Sequence, residues 1–215
     1  MINDLLKNKL ENEFFYYNNE IKPLVNLVEV YFRAIPDGVL NEVRKAFGHI
    51  TSLAIEDKKT LEEKSEEIRD AHAHLRRVHL DCLKLMCIHQ QDVIKGFKRK
   101  YRFYNLNDVD NGNFSVILNN YENESEELFL AAKNSDSTGK NSKSVSFDDY
   151  SNGQDSVYED YCKAYNRFCD TVNYIDSNYE GVIRVARKHI LSTILSFSGW
   201  AISIALAIIL FILSK

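Results

Sequence analysis

The chain has 215 residues, with 27 lysines and arginines against 31 aspartates and glutamates, and a formal net charge of −4. Its 8 glycines and 2 prolines are too few for a turn-rich all-β protein, and the mildly acidic balance argues against a general nucleic-acid coat. Long stretches rich in Leu, Glu, Lys, Asn and Ile indicate an all-α fold in which the residues before the last apolar run form one domain.

The first two predicted helices follow from apolar spacing. From about Asn3 to Arg33 a helical stripe runs with one irregular step near Tyr17, and Pro23 is expected to kink or restart the helix. After a turn at residues 35–38, a second helix is predicted from about Val39 to Ile55. Its expected buried stripe is Leu40, Val43, Phe47, Ile50 and Ala54.

The third helix begins after Thr60, which forms a predicted capping box with Glu63, and it reaches towards Tyr101. About 40 residues make it roughly 60 Å long, which predicts an elongated bundle. Residues 105–155 are rich in Asn, Ser, Asp and Gly, with helical periodicity only at 124–133, so we expect a mobile polar insertion. The last helix starts near Val157 and is expected to continue into the apolar run.

The apolar run from Ile190 to Ser214 contains no charged side chain. As a helix it spans about 37 Å, enough to cross a bilayer, so we expect a single transmembrane helix. Arg184, Arg187 and Lys188 precede it, and the N-terminal residues show no signal sequence. We therefore expect residues 1–189 to be cytoplasmic and the helix to lie in the inner (cytoplasmic) membrane, with the lipid bilayer as a partner.

The cysteines give no evidence of metal or redox chemistry. No two of the four form a CxxC pair, and the histidines lack a HExxH arrangement. We expect reduced and mostly buried thiols, no metal site and no cofactor.

The second helix contains Arg44 and His49, separated by four residues, within NEVRKAFGHITSLA. This pattern resembles the signature of the HEPN superfamily, and the resemblance covers about residues 1–104 and the last helix. It implies an HEPN-like bundle and metal-independent RNA cleavage, with His49 as general acid or base and Arg44 stabilising the phosphorane. Five steps of about 100° each place the two about 140° apart on a regular helix, so they share a face only if the helix is distorted near Gly48 or a second chain completes the site. The alternative is a solvated Arg44 and a packed His49.

The third helix carries a second polar set in which His74, Arg77, Asp81 and Lys84 share a face. The other flank carries His72, Arg76 and His79. If the second and third helices form a hairpin, His49 and His74 could meet. The set is either a cationic cleft for a phosphate or RNA, or a polar network in which Asp81 pairs with Arg77 or Lys84.

Further along, residues 95–104 alternate basic and aromatic side chains. This pattern suits nucleic-acid backbones and stacked bases, and it also suits anionic lipid or a solvated helix end.

Within the apolar run, small residues recur on one face of the helix at Ser192, Ser196, Gly199 and Ser203. Such residues let membrane helices approach closely, which predicts a homo-oligomer, and in a ring the same face could line a pore. Serines also tolerate lipid when they bond to their own helix.

The anchor and the Arg44/His49 motif together resemble membrane accessory proteins of RNA-targeting (type VI) CRISPR systems. That resemblance implies a pore-like oligomer that depolarises or slows an infected cell, linked functionally to an RNA-guided ribonuclease. Two alternatives stay open: a membrane-tethered ribonuclease acting on RNA, and a tail-anchored scaffold that binds partner helices.

Overall fold

The computed structural model describes residues 4–55, 59–137 and 156–213, and every regular element in those ranges is helical, as predicted. Within these ranges the α-helices are, in order, α1 Asp4–Tyr16, α2 Lys22–Phe32, α3 Asp37–Ile55, α4 Leu61–Tyr101, α5 Phe114–Ser137 and α6 Ser156–Leu213. A π-helical turn at Tyr17–Ile21 joins α1 to α2, and two short 3₁₀ turns at Leu106–Asp108 and Asp110–Gly112 join α4 to α5. The HEPN-like arrangement stays a prediction.

The chain divides into two compact units. The first unit comprises Met1–Asp92 and Asn123–Cys169, and the second comprises Val93–Glu122 and Asp170–Lys215. The boundary predicted at residue 189 is one between cytoplasmic and membrane-embedded residues. Contacts within the chain do not report which residues lie in a membrane, so this boundary stays a prediction.

The core of the first unit forms where α2, α3 and α4 bury their apolar faces. Its buried members are Tyr16, Ile21, Val28, Val39, Ala46, Leu75, Val78, Cys82 and Met86. The irregular step near Tyr17 becomes the π-helical turn, which rotates the following residues so that Ile21 is fully buried. Pro23 lies in the first turn of α2, directly after the π-helical turn, a position that proline tolerates.

The buried face of α3 differs from the predicted one by about one residue. Leu40 is 41% exposed, whereas Val39, Glu42 and Ala46 are buried. The prediction holds for Val43, which packs against this core, and for Phe47, which contacts Tyr17, but it missed Glu42, which is buried with its carboxylate paired. The site described below depends on this rotation of α3.

The capping box at the start of α4 forms as predicted. The backbone N–H of Glu63 donates to Thr60 Oγ1 at 3.2 Å, and the Thr60 N–H donates to Glu63 Oε2 at 2.7 Å. These bonds lower the pKa of Glu63, the backbone bond from Thr60 being the largest cause. The two reciprocal bonds satisfy donors that a helix start otherwise leaves unpaired.

The predicted insertion at 105–155 is corrected for its first part, because α5 is a helix of 24 residues. Its buried positions recur every three or four residues at Phe114, Leu118, Glu122, Ser125, Phe129 and Ala132. The periodicity was underestimated because two members, Glu122 and Ser125, are polar; Lys98 forms an ion pair with Glu122. The remaining positions, 138–155, lie outside the described residues.

The last helix, α6, is continuous over 58 residues from Ser156 to Leu213, as predicted. It is long and apolar enough to span a membrane, and none of its most apolar window is buried within the structure. A core helix of the same composition would be covered by its neighbours. Ser214, the last residue of the predicted span, lies outside the described residues.

In the second unit, the turn between α4 and α5 packs on α6. Asp110 and Asn111 adopt left-handed backbone conformations, and Asp110 Oδ2 accepts a hydrogen bond of 2.7 Å from the Tyr174 hydroxyl. Gly181 allows close approach, since a Cβ there would lie 3.3 Å from Val109 Cγ1. This contact gives Gly181 a packing role on the side of α6 that faces the turn.

Candidate functional site

Two histidines of the first unit meet between α3 and α4. The rings of His49 and His74 stack with centroids 5.3 Å apart and planes 19° apart. Each Nδ1 contacts a carboxylate of the other helix: His49 bonds to Glu67 Oε2 at 2.7 Å, and His74 bonds to Glu42 Oε2 at 2.6 Å. The expectation that His49 and His74 meet in a helical hairpin is therefore confirmed. We call these four residues the twin dyad.

Cations surround the carboxylates of the twin dyad. Lys59 Nζ lies 2.6 Å from Glu67 Oε1, and with the bond from His49 it lowers the Glu67 pKa to about 2. Burial raises the pKa of Glu42, but hydrogen bonds from Lys45 and His74 and the charge of Arg77 outweigh it, so the net shift is downward. Both carboxylates are therefore ionised at neutral pH.

The arrangement is suited to proton transfer. A carboxylate on Nδ1 holds the Nδ1–H tautomer, which leaves Nε2 as the reactive nitrogen. Among the described residues, no hydrogen bond engages Nε2 of either His49 or His74. Three cations, Lys45, Lys59 and Arg77, face two carboxylates, so the site has a net positive charge without any contribution from the histidines. Such a site can hold a phosphate and exchange protons with it.

Arg44 does not join His49. Its exposed guanidinium donates to Asn41 Oδ1 at 3.2 Å, one turn earlier on α3, while His49 faces α4. α3 stays a regular helix through Gly48, so the 140° separation expected of a regular helix persists. The structure therefore assigns Arg44 the solvated position and gives His49 a different neighbour, His74.

Arg77 and Asp81 separate along α4. Arg77 Nη1 reaches Glu42 Oε2 at 3.4 Å, at the edge of the twin dyad. Asp81 instead pairs with Lys84 at 3.2 Å, and Lys84 also lies 2.7 Å from Asp136 of α5. Although burial acts to lower the pKa of Lys84, its bonds to Asp136 and Asp81 raise it. Asp81 thus belongs to the polar network that was the alternative prediction.

A second polar cluster, inside the first unit, was not predicted. Glu13 is fully buried, and its Oε2 lies 3.1 Å from His72 Nδ1. Beside it, a hydrogen bond of 2.9 Å joins the Tyr16 hydroxyl and His79 Nδ1, and the His79 ring contacts Tyr158 edge-on. We call Glu13, Tyr16, His72 and His79 the buried polar cluster. The only signal in the sequence was the pair of histidines on one flank of α4, because nothing marked Glu13 as buried.

In the apolar run, the hydroxyls of Ser196 and Ser203 bond to their own helix. Ser196 Oγ donates to the Ser192 carbonyl at 2.8 Å, and Ser203 Oγ donates to the Gly199 carbonyl at 2.9 Å. These bonds satisfy the serines in lipid without a partner helix. The small size of the residues, rather than their polarity, is therefore what favours close approach at this face.

The part of the chain that the structure describes contains no cluster of His, Cys, Asp and Glu able to hold a metal ion. Cys82 and Cys87 are free and buried, and burial raises the pKa of each thiol to about 12. Such thiols stay protonated and inert.

The fold and its exposed apolar helix define the class: over the described residues the protein is all-helical, and one of those helices is long and apolar enough to span a membrane. Comparison with known protein families, curated proteins and solved structures finds no match to this chain.

Proposed function

We propose that this chain is a single-pass membrane protein whose apolar helices assemble into a pore-like homo-oligomer. In this proposal residues 1–189 face the cytoplasm and the helix lies in the inner membrane. The protein acts as an effector or accessory of CRISPR-type antiviral defence that depolarises or slows the infected cell. Its functional partner is an RNA-guided ribonuclease.

The observation that carries this proposal is α6. None of the most apolar stretch of α6 is buried against other residues of the structure, and exposing that much apolar surface to water would be strongly unfavourable. A bilayer or a set of identical helices removes the window from water. The cationic residues Arg184, Arg187 and Lys188 before Ile190 support a cytoplasmic location for the preceding residues.

Gly199 gives a direct test of assembly. A Cβ at Gly199 would meet no atom within 4 Å, so Gly199→Leu leaves the isolated chain undisturbed and blocks only close approach by a second helix. Ala201, two residues further, lies about 200° around the helix, so Ala201→Leu is the matched control. We expect detergent-solubilised wild type and Ala201→Leu to be oligomers and Gly199→Leu to dissociate, as measured by mass photometry.

The cellular readout is membrane potential during phage infection, in cells that carry the RNA-guided partner. We expect a voltage-sensitive dye to report depolarisation with wild type and Ala201→Leu and a normal potential with Gly199→Leu. A monomeric wild type, or normal potential in infected wild-type cells, would refute the pore.

The twin dyad favours a second candidate, a metal-independent ribonuclease. In this candidate His49 and His74 exchange protons with the ribose 2′-OH and the leaving oxygen through Nε2, while Arg77 and Lys45 hold the phosphate. It therefore replaces Arg44 with His74 in the site predicted from the sequence.

Cleavage of a single-stranded RNA in EDTA separates the two versions of this candidate. If the twin dyad is the site, His49→Ala and His74→Ala each abolish cleavage and Arg44→Ala does not. If the Arg44/His49 motif is the site, Arg44→Ala abolishes it. His89→Ala is the control for loss of a ring, because His89 stacks on Tyr31 away from both sites. Absence of cleavage by the wild type would eliminate the enzyme.

A further inference from the structure

The second unit concentrates positive charge within an acidic chain. Its residues include nine lysines and arginines against six aspartates and glutamates, although the whole chain has a net charge of −4. Most of these cations come from two short stretches, the last turns of α4 with the following residues and the part of α6 just before the apolar run. We call Arg99, Lys100, Arg102, Arg184, Arg187 and Lys188 the basic collar.

The fold brings the two stretches of the basic collar to the same level. The Tyr104 ring lies 5.4 Å from the His189 ring, edge-on, and Lys188 lies 3.7 Å from Asp108. His189 directly precedes Ile190, where the charge-free run begins. Residues 102–108 are therefore placed beside the first turn of the apolar helix.

The collar cations are largely available for an external anion. Arg99, Arg102, Arg184 and Arg187 are all exposed, and among the described residues none of the four has a carboxylate partner. Lys188 has only its 3.7 Å contact with an exposed Asp108. Since these arginines belong to two stretches that meet at the Tyr104–His189 contact and have no carboxylate partners, an anionic surface would lower the repulsion between the stretches.

An exposed aromatic residue accompanies these cations. Phe103 is 73% exposed, and the Arg102 guanidinium lies 4.3 Å from its ring centroid. The neighbouring residues Arg102 and Tyr104 line a groove of about 360 Å³, together with the aromatic residues Phe97 and Tyr101. Aromatic rings beside arginines at one level of a helix are typical of the boundary between headgroups and acyl chains.

We propose that the basic collar is a binding surface for anionic phospholipid headgroups, with Phe103 inserted at the bilayer boundary. Arg99, Arg102 and Arg187 contact lipid phosphates, and the aromatic groove covers the glycerol region of a bound lipid. The charge complementarity and the position beside Ile190 both identify lipid as the occupant. This inference rests on the proposed membrane span of α6.

Tryptophan fluorescence tests the collar and the span separately. The chain has one tryptophan, Trp200, within the apolar run, so its quenching by brominated phosphatidylcholine in reconstituted vesicles reports insertion of α6. A second protein, which carries Phe103→Trp together with Trp200→Phe, is the collar reporter. Its quenching is compared for vesicles of phosphatidylcholine that contain either brominated phosphatidylglycerol or brominated phosphatidylcholine at the same mole fraction.

We expect the collar reporter to be quenched by both lipids, with a preference for phosphatidylglycerol of at least about fivefold, the gain typical of one basic residue near an anionic surface. Replacing Arg99, Arg102 and Arg187 by Gln in the reporter should lower the ratio by at least about fivefold, because these three make the proposed phosphate contacts. The matched control replaces three exposed cations of the first unit, Lys7, Arg69 and Lys163, and should keep the preference.

The outcomes distinguish the two proposals. If Trp200 of the wild type is not quenched, the membrane span fails. If Trp200 is quenched but the collar reporter is not, or if the reporter shows no lipid preference, the collar proposal fails alone. A collar variant that loses affinity for a single-stranded RNA and keeps the wild-type lipid ratio would also overturn it, in favour of nucleic acid.

Discussion

The effects of replacing Glu13 and His72, both in the buried polar cluster, on the free energy of unfolding should depend strongly on each other. Glu13 is fully buried, His72 is 3% exposed, and 3.1 Å separates Oε2 from Nδ1. A full ion pair at that distance is worth about 5 kcal/mol at an effective dielectric constant near 20. A carboxylate bonded to a neutral histidine is worth about 1.5–3 kcal/mol. Removing one partner also leaves the other buried without it.

We therefore expect Glu13→Met and His72→Leu each to lower the free energy of unfolding by about 3 kcal/mol. The double variant should lose far less than the sum, because it replaces both polar partners with apolar side chains of similar volume. The coupling energy should exceed about 2 kcal/mol. The assay is urea unfolding of the full chain in mild detergent, followed by far-ultraviolet circular dichroism.

Additive losses in this cycle would refute the reasoning. If the single variants add within about 0.5 kcal/mol, the two side chains do not depend on each other. Losses below about 1 kcal/mol in both single variants would show that water reaches the cluster and satisfies the remaining partner.

Three further predictions concern stability. Because the folded pKa of Glu67, about 2, lies below its ordinary value of 4.5, its pairing stabilises the fold above pH 4.5 and that contribution is lost as the pH falls towards 2. Glu67→Gln should thus cost about 1–2 kcal/mol at pH 6, allowing for solvent screening, and almost nothing at about pH 2; a constant difference in urea unfolding would contradict this. Gly181→Leu should cost about 1–3 kcal/mol by clashing with Val109, and Val109→Ala should relieve the loss in the same assay. Thr60→Ala should cost about 1 kcal/mol through the lost cap, whereas Thr60→Ser should be near neutral in thermal unfolding.

The helices that the sequence predicted best are those whose stripes are apolar throughout. In α6 nearly every residue at the three- or four-residue spacing of the buried face is apolar, and the helix is continuous as predicted. Its start is within one residue of the prediction. The capping box of α4 was also predictable, because it depends on two residues three positions apart and on nothing elsewhere in the chain.

Where the sequence failed, a polar side chain occupies a buried position. Glu42 displaces Leu40 from the buried face of α3, and Glu13 is buried in α1 while Phe14 is 38% exposed. Ser125 is fully buried in the middle of α5. Each of these two carboxylates is buried beside a histidine of another helix, which lies 32 or 59 residues away in the chain. Local periodicity cannot detect such pairs.

The candidate site changed for the same reason. The motif Arg44–His49 was defined by spacing along one helix, but the catalytic possibilities of His49 depend on α4, which supplies both Glu67 and His74. The hairpin of α3 and α4 was needed to pair the histidines, and the rotation of α3 was needed to place Glu42 beside His74. A site built across two helices is therefore visible only once both buried faces are known.

The small-residue face of α6, formed by Ser192, Ser196, Gly199 and Ser203, can favour assembly by hydrogen bonding or by close packing, and the structure supports only close packing. Interhelical hydrogen bonding is not required, since Ser196 and Ser203 are satisfied within α6. Gly199 still favours close packing, because a Cβ added there would lie more than 4 Å from the nearest atoms beyond its chain neighbours and the adjacent helix backbone, which leaves open space for a second helix. If a second helix occupies that space, size alone decides the contact, so Gly199→Ala should weaken assembly less than Gly199→Leu. Replacing Ser203 by Ala, which keeps the size and removes the hydroxyl, should leave the oligomer intact, and dissociation of that variant would restore the hydrogen-bonding explanation.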